Sequence, residues 1–156
     1  MLLSAYRLAT YLGGPLIERH VHRRARRGKE DPKRLGERFG KAGLARPEGS
    51  LVWFHAASVG EALAALPLIE ALLEARSMLR ILVTTGTVTS AELMAARLPK
   101  KAIHQFVPVD RGNAWRSFLT FWRPDLGCLI ESEIWPNLLL EADDLDIPLA
   151  IINGRM

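Results

Sequence analysis

Cysteine is almost absent from this chain: Cys128 is the only one in 156 residues. That excludes an internal disulfide and points to a reducing compartment. Cys128 lies in an apolar run, Leu126 to Ile130, where it reads as core filler rather than nucleophile. No apolar stretch of about 20 residues occurs, so an untilted membrane span is missing. The first residues are apolar, but they lack the basic start and small-residue cleavage site of a signal peptide. Neither G-x-G-x-x-G nor G-x-x-x-x-G-K-[ST] is present, which removes the usual nucleotide fingerprints. His20, His22 and His104 have no cysteine or carboxylate pair at metal-ligand spacing, and no metal is expected. Internal repeats and low-complexity segments are also lacking.

What is present is an ordinary soluble composition, 49% hydrophobic and 24% charged. The length suffices for one domain with a real core. The net charge of +4 hides an asymmetry. Residues 1–50 hold 12 Lys/Arg against 5 Asp/Glu, whereas residues 51–156 hold 9 against 12. The densest basic stretch is ERHVHRRARRGK, Glu18 to Lys29. A nucleic-acid binder would carry basic residues on its globular part too. That part is mildly acidic here, so no nucleic-acid partner is expected.

The opening MLLSAYRLATYLGGPLI reads as an amphipathic helix followed by a cationic one starting at Pro15. Ser4, Arg7 and Thr10 fall on one helical side; Leu2, Leu3, Tyr6, Ala9 and Leu12 populate the remainder. Apolar insertion plus attraction of Arg and Lys to anionic headgroups suits a peripheral membrane contact. A helix packed on the protein's own second half is the alternative.

From Leu51 onward short apolar runs alternate with helical patterns. Strands are expected at Leu51–His55, Arg80–Thr84, Ile103–Val107, Leu126–Ile130 and Leu149–Ile152. Helices are expected at Gly60–Ala75, Ser90–Leu98, Gly112–Trp122 and Glu133–Asp143. This alternation implies βαβ units, and the continuous apolar strands imply a parallel sheet covered on both faces. The fold class is therefore α/β, a Rossmann-like parallel sheet flanked by helices. KAGLARPEGS, Lys41 to Ser50, reads as a linker.

Polar clusters follow each strand: Ser58, Gly60 and Glu61; Thr84, Thr85, Thr87 and Thr89; Asp110; Glu131, Glu133 and Asn137; Asn153 and Arg155. In an open α/β sheet the strand C-termini share one edge, where ligands bind. Individually the clusters decide less. Ser58-x-x-Glu61 and Thr89-x-x-Glu92 both fit capping boxes. A phosphate cradle at Gly60 is disfavoured by the Glu61 carboxylate in the same turn. Glu131 and Glu133 at a strand end are costly unless hydrogen-bonded, which suits a site or a structural network. His55 could be a base, but a satisfied core histidine is the better reading.

Six segments, in order, carry a resemblance: RLGERFG (Arg34–Gly40), HAASVGE (His55–Glu61), TTGTVTSAE (Thr84–Glu92), VPVD (Val107–Asp110), ESEIWPN (Glu131–Asn137) and NGR (Asn153–Arg155). Together they resemble the N-terminal half of the 3-deoxy-D-manno-octulosonic acid (Kdo) transferases of lipid A. Gly86 stands where the family more often has a larger residue, and Ser90, Ser132 and Gly154 depart from its usual residues by changes between small side chains. The resemblance implies a two-domain GT-B glycosyltransferase whose N-terminal half takes the lipid acceptor. Its C-terminal half would bind most of the CMP-Kdo donor. The chain stops at Met156, so the expectation is an isolated acceptor domain, inactive alone.

The resemblance also implies roles. Kdo would pass from CMP-Kdo to a lipid A precursor with inversion, without metal or cofactor. The catalytic base is placed at Glu37, where Arg34, Arg38 and Lys33 could hold acceptor phosphates or the Kdo carboxylate. Removing that carboxylate would abolish transfer and leave the fold intact. Ser58, Gly60 and Glu61 would shape the acceptor pocket beside it. Thr84, Thr85, Thr87, Glu131, Glu133, Asn137 and Arg155 would line the crevice. Residues 1–29 would contact an anionic membrane surface, and residues 30–156 would form the acceptor domain at the cytoplasmic side of an inner membrane. A nucleotide-sugar or protein-binding module recruited to membranes is the rival reading.

Overall fold

Five parallel strands form the centre of the computed structural model, which describes residues 2–131 and 134–152. They are β1 (Leu51–His55), β2 (Arg80–Thr85), β3 (Ala102–Phe106), β4 (Leu126–Ile130) and β5 (Leu149–Ile152). The spatial order is β3-β2-β1-β4-β5. Chain order therefore reverses at β1, which pairs with β2 on one side and β4 on the other. This is the doubly wound arrangement expected from the alternating pattern.

Among the described residues six α-helices accompany the sheet: α1 (Leu2–Leu12), α2 (Gly14–Arg26), α3 (Val59–Ala75), α4 (Val88–Arg97), α5 (Gly112–Trp122) and α6 (Pro136–Asp144). The last begins three residues later than the periodicity suggests, because Pro136 occupies its first turn, where a missing N–H costs nothing. α4 is capped by Thr87, whose hydroxyl accepts from the Ser90 amide at 3.1 Å, and not by Thr89.

Alternation along β1 assigns the two faces. Leu51 and Trp53 face one core with Trp115, Phe118, Leu119 and Trp122 of α5 and Leu138 of α6. Phe54 faces the other with Ala62, Ala65 and Ile69 of α3 and Met94 of α4. Burial on both faces explains why the strands read as unbroken apolar runs.

The outer edge of β3 is closed by a 3-10 helix, Pro32–Phe39. Arg34 Nη2 donates to the His104 carbonyl at 3.0 Å, and the Phe106 amide donates to Glu37 Oε2 at 2.7 Å. Two side chains thus satisfy edge groups that a sixth strand would otherwise pair. Gly40 ends this helix with φ 79°, and a Cβ there would strike the Ala114 carbonyl of α5. Only glycine meets both demands.

α1 packs on the chain's own second half, but through its polar stripe. Tyr6 donates to Asp110 Oδ2 at 2.7 Å, and Arg7 pairs with buried Glu141 at 2.7 Å. Asn137 donates to the Thr10 hydroxyl at 3.1 Å. Leu8 and Leu12 are left 58% and 69% exposed. No described helix is long and apolar enough to cross a membrane.

Candidate functional site

The switch point lies between the C-termini of β1 and β4, whose following helices leave toward opposite faces. A crevice opens there in this class of sheet. On the β1 side the chain turns at Ala57 and enters α3 at its N-cap, Ser58. Ser58 Oγ accepts from the Glu61 amide at 3.2 Å and donates to Glu61 Oε1 at 2.8 Å. The Ala57 amide donates to Glu61 Oε2 at 2.8 Å. The expected capping box is thus present, with its return bond one residue earlier than usual. Glu61 is partly exposed, and the donors that hold it are neutral. Each carboxylate oxygen can accept a second hydrogen bond.

On the β4 side, Glu131 follows the strand with φ 60°, a left-handed conformation that costs about 1–3 kcal/mol for a non-glycine residue. Arg123 and Asp146 share the positive φ, at the turns after α5 and α6. Glu133 and Arg155 lie outside the described residues.

Below Glu61 the interior carries buried polar side chains. His55 is 1% exposed and contacts Trp135 at 5.1 Å between ring centroids. Burial depresses its pKa to about 4, outweighing the raising effects of the Thr84 backbone contact and Glu61. The ring is neutral at ordinary pH. Its Nδ1–H donates toward the Thr84 carbonyl at 3.2 Å and hydroxyl at 3.0 Å. Trp53 Nε1 donates to that hydroxyl at 2.9 Å. Thr84 is therefore a buried hub under the crevice rather than part of its surface. Thr85 is also buried, and accepts from His104 Nε2 at 2.9 Å. That tautomer follows because Arg34 Nη2 occupies Nδ1 at 3.1 Å. Burial and the Arg34 charge depress His104 to about 3.

Glu37 lies elsewhere. β3 is two strands from β1, so the outer edge of β3 stands on the order of 10 Å from the switch point in the sheet plane. Glu37 is 5% exposed. Arg34 grips it bidentately, Nε to Oε1 and Nη2 to Oε2, both at 2.8 Å. The Phe106 amide takes a further Oε2 lone pair. Glu37 and Arg34 also line a cleft of about 510 Å3 between the 3-10 helix and α4, with Lys33, Lys100 and the apolar Met94 and Leu98. Ser58, Gly60 and Glu61 are not part of that cleft, so the expected single pocket is two separate places. Arg38 points away from both. It donates to the Val107 carbonyl and approaches Glu30 at 3.4 Å, and burial lowers its pKa.

Thr87 is used as the α4 cap. Asn137 is wholly buried beneath α1, donating to Thr10 and to the Asp110 carbonyl at 3.1 Å. It therefore anchors α1 instead of facing the crevice. Sequence reasoning passed over the partners in this docking. Asp110 also accepts from Trp115 Nε1 at 3.1 Å, Glu141 pairs with both Arg7 and Arg116, and Arg111 pairs with Glu18 at 2.7 Å. Arg7 and Thr10 of the polar side expected from the sequence make these contacts, joined by Tyr6, which the sequence assigns to the apolar remainder. Among the described residues no group of three His, Cys, Asp or Glu could hold a metal ion.

Comparison with known proteins places the chain in a family. The family described as 3-Deoxy-D-manno-octulosonic-acid transferase (kdotransferase) matches residues 33–156. The chain is 46% identical over 151 residues to a probable 3-deoxy-D-manno-octulosonic acid transferase, mitochondrial, of Arabidopsis thaliana, covering 97% of this chain and 34% of that one. The corresponding transferase of Rickettsia bellii is 42% identical over 129 residues, covering 83% and 31%. That of Bordetella pertussis is 39% identical over 160 residues, covering 97% and 37%. The chain thus spans about a third of the length of these relatives. All three are named as transferases, which leaves the pure binding-module reading without support.

Proposed function

Because the chain belongs to the Kdo transferase family, as an N-terminal portion of it, we propose that it is the acceptor-binding half of an enzyme that transfers Kdo from CMP-Kdo to a lipid A precursor. The donor would be held mainly by a second domain, and the reaction inverts the anomeric centre. In such a transfer the acceptor hydroxyl oxygen bonds to the sugar's anomeric carbon. The bond to CMP breaks with its electron pair on the phosphate, and a carboxylate takes the hydroxyl proton.

The observation that carries this reading is the Ser58–Glu61 ring at the end of β1. It holds a partly exposed carboxylate at the switch point, oriented by neutral donors. The geometry favours Glu61 over Glu37 as the proton acceptor. Glu37 is buried, gripped by a guanidinium and bonded to the edge-strand amide. Its motif is better explained as the closure of the sheet edge. Ser58 then positions the base, and Glu131 follows β4 on the other side of the switch point. The exposed apolar residues of α1 and the basic α2 support a peripheral station on the cytoplasmic side of an inner membrane, where a lipid acceptor resides.

Calorimetric titration tests this. The chain should bind a detergent-dispersed, acylated glucosamine disaccharide bisphosphate, and Ser58→Ala and Glu61→Gln should weaken binding several-fold. Affinity unchanged in both variants, or no binding by the unaltered chain, would remove the crevice from the acceptor role.

A further inference from the structure

Arg34 and Glu37 close the sheet edge, and beside them runs the cleft between the 3-10 helix and α4. Its volume of about 510 Å3 is within the range of small-molecule pockets. Its long side is apolar. Met94 forms the floor, Ala95 and Leu98 of α4 form a wall, and Leu44, 52% exposed, borders it from the loop after Gly43. That loop is held close: a Cβ on Gly43 would collide with Glu37 Oε1.

The polar groups of the cleft are mostly committed. Glu37 has both oxygens on Arg34. His104 has one ring nitrogen against Arg34 and the other against Thr85. Lys33 and Lys100 are the remainder. Both are exposed, and among the described residues neither pairs with a carboxylate, although Lys100 also borders a neighbouring hollow with Glu70 and Glu74. The rim is therefore cationic.

The charge lies at one end. The 3-10 helix runs alongside β3, since Arg34 bonds the His104 carbonyl and Glu37 the Phe106 amide. Lys33 thus stands toward the start of β3, where Lys100 leads into the strand. α4 leaves the C-terminal end of β2 and descends to the same place, so its apolar wall extends from the lysines toward the opposite edge. A ligand that fits has an anionic head at the start of β3 and a linear apolar tail above it. A lipid held with its sugar beside Glu61 would enter from the other edge and bring the tip of its acyl chain against the lysines. A sugar phosphate would leave the apolar wall uncovered.

We infer that this cleft binds a single-chain anionic amphiphile, an alkyl carboxylate or alkyl phosphate, with its head on Lys33 and Lys100 and its chain along Met94, Ala95 and Leu98. It is a second site, separate from the crevice at the switch point. It stands whether or not the chain is half of a transferase.

Binding heats on the whole chain test it. The probes are decanoate and decyl phosphate, each below its micelle concentration, with 1-decanol and inorganic phosphate as the two half-ligands. One anion should bind per chain, and each half-ligand should bind at least about tenfold more weakly. The tighter of the two anions identifies the head. Lys33→Glu with Lys100→Glu should weaken the anions about tenfold or more and remove the salt dependence of their affinity. Ala95→Trp fills the cleft from an exposed position and should weaken both anions and 1-decanol. Ser58→Ala and Glu61→Gln should leave decanoate affinity within about twofold. Circular dichroism checks each fold, and Leu44→Ser, at a half-exposed loop position, carries the test if Ala95→Trp unfolds.

Equal affinity for decanoate and 1-decanol would remove the lysines from the site. Uptake only above the micelle concentration, or no uptake of either anion, would overturn the proposal. Loss of decanoate binding in Glu61→Gln would place the ligand in the crevice instead. Self-association of the chain that Ala95→Trp abolishes would make the occupant a second copy, and would equally overturn it.

Discussion

The Glu37 carboxylate accepts the Phe106 amide at 2.7 Å across 69 residues of chain. With Arg34 on the neighbouring His104 carbonyl, it stands in for a missing strand at the outer edge of β3. A carboxylate bound this way holds part of the fold together.

Glu37→Ala should therefore destabilise the chain, by about 3 kcal/mol or more, because it leaves Arg34 partly buried without its partner and the Phe106 amide without an acceptor. Denaturant midpoints measure this. Glu37→Gln, which keeps an acceptor for the amide, should cost less. An unchanged midpoint in Glu37→Ala, with activity lost in a two-domain transferase carrying this sequence, would return Glu37 to the role of base.

Glu61→Gln in that two-domain enzyme should lower kcat by about 10²–10⁴-fold, the usual worth of a positioned base. Ser58→Ala should cost about 1 kcal/mol of stability through the lost cap and reduce kcat less. Single-turnover transfer rates separate the two. A Glu61→Gln enzyme within threefold of the unaltered rate would exclude the assignment.

Acid should weaken the fold before the carboxylates titrate. His55 and His104 have folded values near 4 and 3, below the ordinary 6.5. The unfolded chain then binds protons that the folded chain refuses. Their contribution is fully present above about pH 6.5 and is lost as the pH falls through the window down to those folded values. For His55 alone the loss is on the order of 3 kcal/mol. Guanidinium midpoints taken between pH 7 and pH 5 should fall, and the slope should flatten in His104→Gln. An unaltered slope in that variant would show that His104 does not titrate with folding.

Gly40→Ala should cost more than about 2 kcal/mol, combining left-handed strain with collision against the Ala114 carbonyl. Thermal unfolding checks it. A shift of under one degree would mean that α5 moves aside without penalty.

The strands from Leu51 to Ile152 were legible because a buried parallel strand is an unbroken apolar run a few residues long, and that signal is local. The Ser58–Glu61 cap was legible for the same reason, since its bonds close within four residues. The α6 start was misplaced because Pro136 fixes the first turn more strongly than the polar residues before it. The site was read less well. Asn137, Thr84 and Thr85 follow or end strands as a crevice lining should, yet each is buried by a partner distant in sequence: Thr10, Trp53 and His104 respectively.

By itself the sequence determined the alternation of strand and helix, the two-faced burial and the Ser58 cap, since each depends on neighbours within a few residues, and the family followed from six short segments in order. Tertiary structure decided what the charged residues do. It set Glu37 on a sheet edge, left Glu61 open at the switch point, and turned the polar stripe of α1 inward and its leucines outward. Those outcomes depend on pairings between residues tens to more than a hundred positions apart, and hydrophobic periodicity carries no record of which polar groups will meet.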